Sequence, residues 1–321
     1  MSSHSHAPQR FLVSAADGYP LDVSAWIDHT ESPITKRPVV IINPATSVHS
    51  RYYSNFANYL YANGFDAITY DYRGIGNSRP KNLRGFDASW IDWGAKDFEG
   101  ILRFVAVRFP GQPIYVVAHS VGGFLVGLAE SNHLVRRVFT MGAQFAYWKD
   151  YAHNSRLSMC LRWHVVMPVL AAIFGYFPGK RLGWLEDTPL GVIHDWTARH
   201  PRFEDAYQKG RRAMTLERRQ QLVERFSQMK GETLALSVTD DDFGTIPAIN
   251  RLLDYYKNSP VTHLRVAPSM LGVDQIGHFA FFNTRFKESL WRIPLTWLRD
   301  GRIPEDAPGE LVTEKSPKRA F

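Results

Sequence analysis

The sequence predicts an α/β fold: a mostly parallel sheet with helices on both faces, interrupted by a helical insertion. Three observations predict it. Short apolar, β-branched runs recur at 38–42, 65–70, 114–117 and 135–141, each ending at a loop. Helical stretches alternate with them, and strand–helix–strand alternation forces parallel pairing with helices on the sheet faces. The alternation stops over 142–231 and resumes at 233–238 and 261–267.

Taken in order, Val39-Val40-Ile41-Ile42 reads as a buried strand that ends at the loop Asn43-Pro44-Ala45-Thr46. A helix is expected over 54–62, stopped by Asn63-Gly64. The next strand, 65–70, runs into Asp71-Tyr72-Arg73-Gly74-Ile75-Gly76. Phe98, Ile101, Leu102, Val105 and Val107 keep near-helical spacing, so a long helix is expected over 90–108, broken by Phe109-Pro110-Gly111. The strand 114–117 leads into His119-Ser120-Val121-Gly122-Gly123 and an apolar helix over 124–129. A fourth strand covers 135–141. The insertion, 142–231, shows no convincing strand; it holds Trp148, Trp163, Trp184 and Trp196 and closes on an amphipathic helix carrying Leu222, Val223, Phe226 and Met229. A last helix is expected over 284–298. The expected core is therefore about 10–141 and 232–300 in one domain, with 301–321, rich in Pro, Lys and Glu, as a flexible tail.

Composition excludes several classes. The 321 residues are 45% hydrophobic and 21% charged, ordinary for a globular chain. The net charge of +7 is dispersed among acidic residues, and no nucleic-acid motif accompanies it. The single cysteine, Cys160, allows no internal disulfide and is expected to be a small core residue. The polar first ten residues lack the apolar core of a secretory signal, and the longest apolar run, 165–176, is too short for stable membrane insertion. A cytoplasmic protein is expected, and nothing in the sequence bears on oligomeric state.

Ala118-His119-Ser120-Val121-Gly122 sits between a buried strand and an apolar helix. A serine on such a sharp turn projects its hydroxyl above the sheet beside a helix N-terminus, and the residues two before and two after must be small. Ser120 is the candidate nucleophile. The N–H of Val121 is a candidate oxyanion donor, favoured by the helix dipole. A serine hydroxyl needs a base. Among twelve histidines, His278 fits: it lies in Ile276-Gly277-His278-Phe279, after the last strand and at the same sheet edge as Ser120. His4 and His6 fall in the N-terminal tail, and His119 adjoins the nucleophile but should point away from it. An acid must orient the histidine. The strand 233–238 ends in Thr239-Asp240-Asp241-Asp242, where Asp241 is preferred, Asp240 is the alternative and Asp242 trails both. The second oxyanion donor should come from the loop after the first long strand. Pro44 has no N–H, which leaves Ala45 or Thr46, and Ala45 is preferred. No residue cluster calls for a metal or other cofactor.

These pieces resemble the α/β-hydrolase superfamily, in particular its serine-aminopeptidase-like and lysophospholipase-like branch. Asp71-Tyr72-Arg73-Gly74-Ile75-Gly76-Asn77-Ser78 is similar to the family's D-x-R-G-x-G-x-S, residues 118–123 to its serine turn, and the 239–242 and 276–279 loops to its acid and histidine loops. Ala118 stands where the family has Gly, and Asn43-Pro44 where it has His-Gly. Asp71 and Arg73 read as loop-stabilising. The resemblance implies an α/β-hydrolase fold with 142–231 as its cap. It also implies acyl transfer to water through a Ser-His-Asp triad and an acyl-enzyme, with no cofactor. A serine in the turn argues against the dehalogenase and epoxide-hydrolase branches, which place aspartate there. The expected function is a serine esterase, a carboxylic ester hydrolase acting on a partly apolar small-molecule acyl substrate. An acyltransferase or an aminopeptidase-like amidase on the same triad is the alternative, the latter needing a carboxylate such as Glu186, Asp187 or Asp195 at the substrate; a non-catalytic binding module ranks last.

Overall fold

The computed structural model describes residues 6–29, 36–198, 200–210 and 212–313. His4 and the end of the expected tail, 314–321, lie outside them. An antiparallel hairpin, β1 (Gln9–Ser14) and β2 (Pro20–Trp26), forms one edge of the main sheet. It is followed by β3 (Val39–Asn43), β4 (Asp66–Tyr70), β5 (Ile114–His119) and β6 (Val135–Met141). Two short strands, β7 (Tyr176–Phe177) and β8 (Thr188–Pro189), pair only with each other. β9 (Glu232–Val238) and β10 (Val261–Val266) rejoin the main sheet, and β11 (Glu310–Leu311) pairs antiparallel with β10. The order is β1-β2-β4-β3-β5-β6-β9-β10-β11, parallel from β4 to β10.

Every residue of β3, β4 and β5 is buried, as an inner parallel strand covered on both faces requires. Successive side chains serve opposite faces. Val39 and Ile41 join one apolar cluster with Leu102 and Phe124, while Val40 and Ile42 join another with Phe56 and Trp291. The chain leaves β3 toward β4 on one side and later places β5 on the other. That reversal opens a crevice at the carboxyl ends of these strands, where open α/β sheets take ligands.

The helices follow from their ends. α1 (Ser54–Ala62) precedes β4. α2 (Trp90–Asp92), capped by Ser89 Oγ on Asp92 N–H, continues through a π-turn at Trp93–Phe98 into α3 (Glu99–Arg108). α4 (Val121–Leu128) starts directly after Ser120 and is wholly buried. Between β6 and β9 the chain is mostly helical around the β7–β8 pair. α5 (Arg156–Leu161) passes through a π-turn at Arg162–Val166 into α6 (Met167–Phe174), and α7 (Gly179–Leu182), α8 (Leu190–Trp196) and α9 (Leu216–Gln228) follow. α10 (Ile246–Leu253) is capped by Thr245, and α11 (Arg292–Asp300) ends the helical part.

Six expectations change. The β1–β2 hairpin adds an antiparallel edge to the expected strands. Its second strand alternates buried Leu21, Val23 and Ala25 with Asp22 and Ser24, so the period was present. The insertion holds the small β7–β8 pair. The last helix begins at Arg292 rather than 284, because Pro294 is tolerated only in a first turn. The tail is not free throughout, since Glu310 and Leu311 pair with β10. Cys160 is part-exposed rather than in the core. The apolar run at 165–176 is also only part of a longer helix: Arg156–Phe174 spans 19 residues, long and apolar enough to cross a membrane by length and composition.

Candidate active site

Ser120 occupies a strained turn. Its φ of 54° and ψ of −124° are a conformation that non-glycine residues rarely adopt, one that persists where the surroundings enforce it. Those surroundings are visible. The Ser120 N–H donates to Met141 O of β6 at 2.9 Å, and α4 begins at once behind it. Gly122 must be glycine, since a Cβ there would lie 2.5 Å from Asn43 O. Asn43 in turn donates from Nδ2 to Gly122 O and accepts from Tyr70 Oη, so it ties the end of β3 to the serine turn. As the first helical residue, Val121 has no intrahelical acceptor for its N–H.

The structure brings Ser120, His278 and Asp241 to one place. His278 Nδ1 donates to Asp241 Oδ2 at 2.7 Å. The other oxygen, Oδ1, accepts from Phe243 N–H and Gly244 N–H at 2.8 and 2.9 Å. Burial pushes the Asp241 carboxyl upward, but the facing His278 and these donors outweigh it and hold the group below the usual carboxylate range. Asp240 faces elsewhere: its Oδ2 accepts Ile276 N–H and Gly277 N–H, both at 2.9 Å, and so grips the loop that carries His278. Asp242 is exposed. Ser120 and His278 line the same cavity, while the hydroxyl itself is contacted by Gln144 Nε2 at 3.5 Å. Gln144 accepts Ala146 N–H through Oε1, which aims its amide at the serine. Nothing in the sequence singled out Gln144, because a glutamine after a strand carries no motif.

His119 does point away from the cavity, into a buried relay. Its Nε2 lies 2.8 Å from His278 O, and a carbonyl only accepts, so Nε2 carries the proton. Nδ1 must then accept from Tyr53 Oη at 2.8 Å, and Tyr53 Oη accepts Ala45 N–H at 2.9 Å. Burial, with His278 nearby, lowers the His119 pKa to about 3, so the ring stays neutral as this arrangement requires. The N–H of Ala45, the preferred second oxyanion donor, is therefore engaged by Tyr53. Thr46 lines the cavity too, and its N–H has no partner among the described residues. His119→Leu leaves the Tyr53 O–H without its acceptor and the His278 carbonyl without its donor in the interior. It is expected to cost about 2–4 kcal/mol, read by denaturant unfolding; a loss under about 0.5 kcal/mol would remove the relay.

The loop after β4 is structural. Asp71 accepts Ser50 N–H and Asn77 N–H, and buried Arg73 bridges Asp17 and Asp97. Above the sheet edge lies a cavity of about 280 Å³. Its lining joins Ser120, His278, Thr46 and Val121 to Trp163, Trp184 and Trp196 of the insertion, with Trp90 and Phe243. Trp163 stacks on Trp196 at 5.2 Å, and the Arg162 guanidinium stands 5.3 Å from the Trp184 ring centre. Trp148, by contrast, only packs against the core. Among the described residues no carboxylate lines the cavity. Glu186 pairs with Lys180, Asp187 with Arg79, and Asp195 accepts Trp90 N–H and Tyr207 Oη. Among the described residues no group of three metal-ligating side chains occurs.

Residues 34–229 match the family described as serine aminopeptidase, S33. Among solved structures, a soluble variant of monoglyceride lipase from Saccharomyces cerevisiae superposes with a TM-score of 0.60 or better, at 0.62, with 12% identity over 95% of this chain and 98% of that one. DcsB in complex with a substrate analogue gives 0.60 at 13% identity, covering 92% and 99%. An esterase from Pyrococcus furiosus gives 0.56 at 12%, covering 92% and 91%. At these identities the likeness is one of fold.

Proposed function

Since this chain belongs to the serine aminopeptidase S33 family of α/β-hydrolases, we propose that it is a carboxylic ester hydrolase using Ser120, His278 and Asp241 on a partly apolar substrate. The observation that carries the proposal is a strained serine at a helix N-terminus sharing one cavity with a histidine already held by a buried carboxylate. Ser120 Oγ attacks the ester carbonyl and gives its proton to His278 Nε2. Asp241 keeps the His278 proton on Nδ1 and stabilises the imidazolium that forms. Val121 N–H and the 45–46 loop, where Thr46 offers an unengaged N–H, receive the developing oxyanion. The leaving alcohol takes the proton from His278, and water, activated by the same histidine, releases the acid.

The cavity wall favours an ester over a peptide N-terminus. A free ammonium needs a carboxylate or a cluster of carbonyls, and this wall offers tryptophans and one arginine. Burying each methylene contributes about 0.8 kcal/mol, or roughly fourfold in kcat/KM. Across a p-nitrophenyl ester series kcat/KM is therefore expected to climb about fourfold per methylene until the cavity fills, then level off. Aminoacyl p-nitroanilides are expected to react at least about a hundredfold more slowly than the best ester. A preference for the anilides would instead support the amidase reading.

A further inference from the structure

The helix Arg156–Phe174 is apolar on two opposite sides. Met159, Trp163, Met167 and Ala171 recur every four residues and are buried against the protein. Leu157, Leu161, Val165, Val169 and Ile173 recur with the same spacing, two residues out of step, which sets them on the far side. They are 83%, 58%, 42%, 53% and 64% exposed. A helix that is apolar all round is normally covered all round. Here an aliphatic stripe roughly 24 Å long, by helix rise, faces outward.

Charge says what covers it. Residues 151–185 contain no Asp or Glu but include Arg156, Arg162, Lys180 and Arg181. Lys180 pairs with Glu186 just beyond this stretch, whereas the three arginines make no ion pair among the described residues. An aliphatic stripe in a stretch that carries no acidic residue, and whose arginines make no ion pair among the described residues, is complementary to the headgroups and acyl boundary of an anionic bilayer. The stripe also adjoins the cavity. Arg162 and Trp163 of the same helix line it, and partly exposed Trp184 stands at its rim. The helix is not free to cross a membrane, because Trp163 is stacked on Trp196 inside the fold.

We propose that the outer face of helix Arg156–Phe174 docks the protein side-on to an anionic lipid bilayer, with the cavity mouth at the lipid surface. Docking stands on exposure and charge alone; only the delivery of an ester from the bilayer to Ser120 rests on the hydrolase reading above.

The test is sedimentation of the full chain with vesicles of phosphatidylcholine alone, or with one-third phosphatidylglycerol. The wild type is expected to partition onto the anionic vesicles, and to be released by salt. Leu161→Glu with Val169→Glu should weaken this at least about tenfold, and Arg181→Glu about fivefold or more, while hydrolysis of a soluble short-chain ester is unchanged in both. Absence of wild-type binding to either vesicle overturns the proposal. So does equal binding by the variants, or light scattering showing a wild-type dimer that these substitutions dissociate without any vesicle binding. Vesicle binding in a protein inert toward every soluble ester would leave docking standing and overturn the hydrolase reading instead.

Discussion

Ser120→Ala is expected to lower ester hydrolysis by at least about four orders of magnitude and to abolish labelling by a fluorophosphonate probe. The size follows from the role: without the hydroxyl no acyl-enzyme forms, and only the oxyanion donors and binding contacts remain to assist water. The structure makes this a clean experiment. Among the described residues the hydroxyl makes one long hydrogen bond, with Gln144 Nε2 at 3.5 Å, so its removal should shift unfolding by less than about 1 kcal/mol. Alanine keeps the Cβ, and with it the steric demands of φ 54°. Circular dichroism and the denaturation midpoint should match the wild type while activity vanishes. Probe labelling that survives in the variant removes Ser120 as nucleophile, and labelling of the wild type that fails would question the reaction class.

The elements that place this serine were legible because each is dense in local signal. β3, β4 and β5 are continuous buried runs, and the serine turn needs small residues at fixed offsets. The acid narrowed only to a run of three aspartates, since adjacent carboxylates on a turn point in different directions and sequence does not record directions. The structure separates them: Asp241 toward His278, Asp240 toward the backbone of 276–277, Asp242 outward. What stayed hidden depends on distant partners. The Ala45–Tyr53–His119 relay joins the loop after β3, the turn before α1 and the end of β5, and no spacing rule connects them. Gln144 has meaning only because Ala146 orients it. β11 is two residues long, too short for any periodicity to show. The aromatic insertion divided between packing and cavity lining, as Trp148 and Trp163 illustrate, because both uses draw on the same residue types.

Asp241→Asn should cost about 10⁴-fold in kcat, whereas Asp240→Asn should stay within about tenfold of wild type. The difference comes from what each oxygen accepts. Asp241 Oδ1 receives two backbone N–H groups, so an asparagine must keep its carbonyl oxygen there. Its NH2 then faces His278 Nδ1, which can no longer donate. The ring is forced into the tautomer that carries its proton on Nε2, and that nitrogen cannot take a proton from Ser120. Asp240 accepts two N–H groups through Oδ2 and leaves Oδ1 buried without a partner among the described residues. Asparagine there can keep both bonds with its oxygen, losing only their charge assistance, about 1 kcal/mol of stability. Acid titration supplies an independent sign. A carboxyl held below its ordinary value stabilises the fold above that ordinary value and loses the contribution as pH falls through the lowered one. The stability gap between wild type and Asp241→Asn should therefore narrow as pH drops below the usual carboxylate range, measured by denaturant midpoints. A larger activity loss in Asp240→Asn, or a gap that widens in acid, would transfer the orienting role to the neighbouring aspartate and with it the reason His278 keeps its proton on Nδ1.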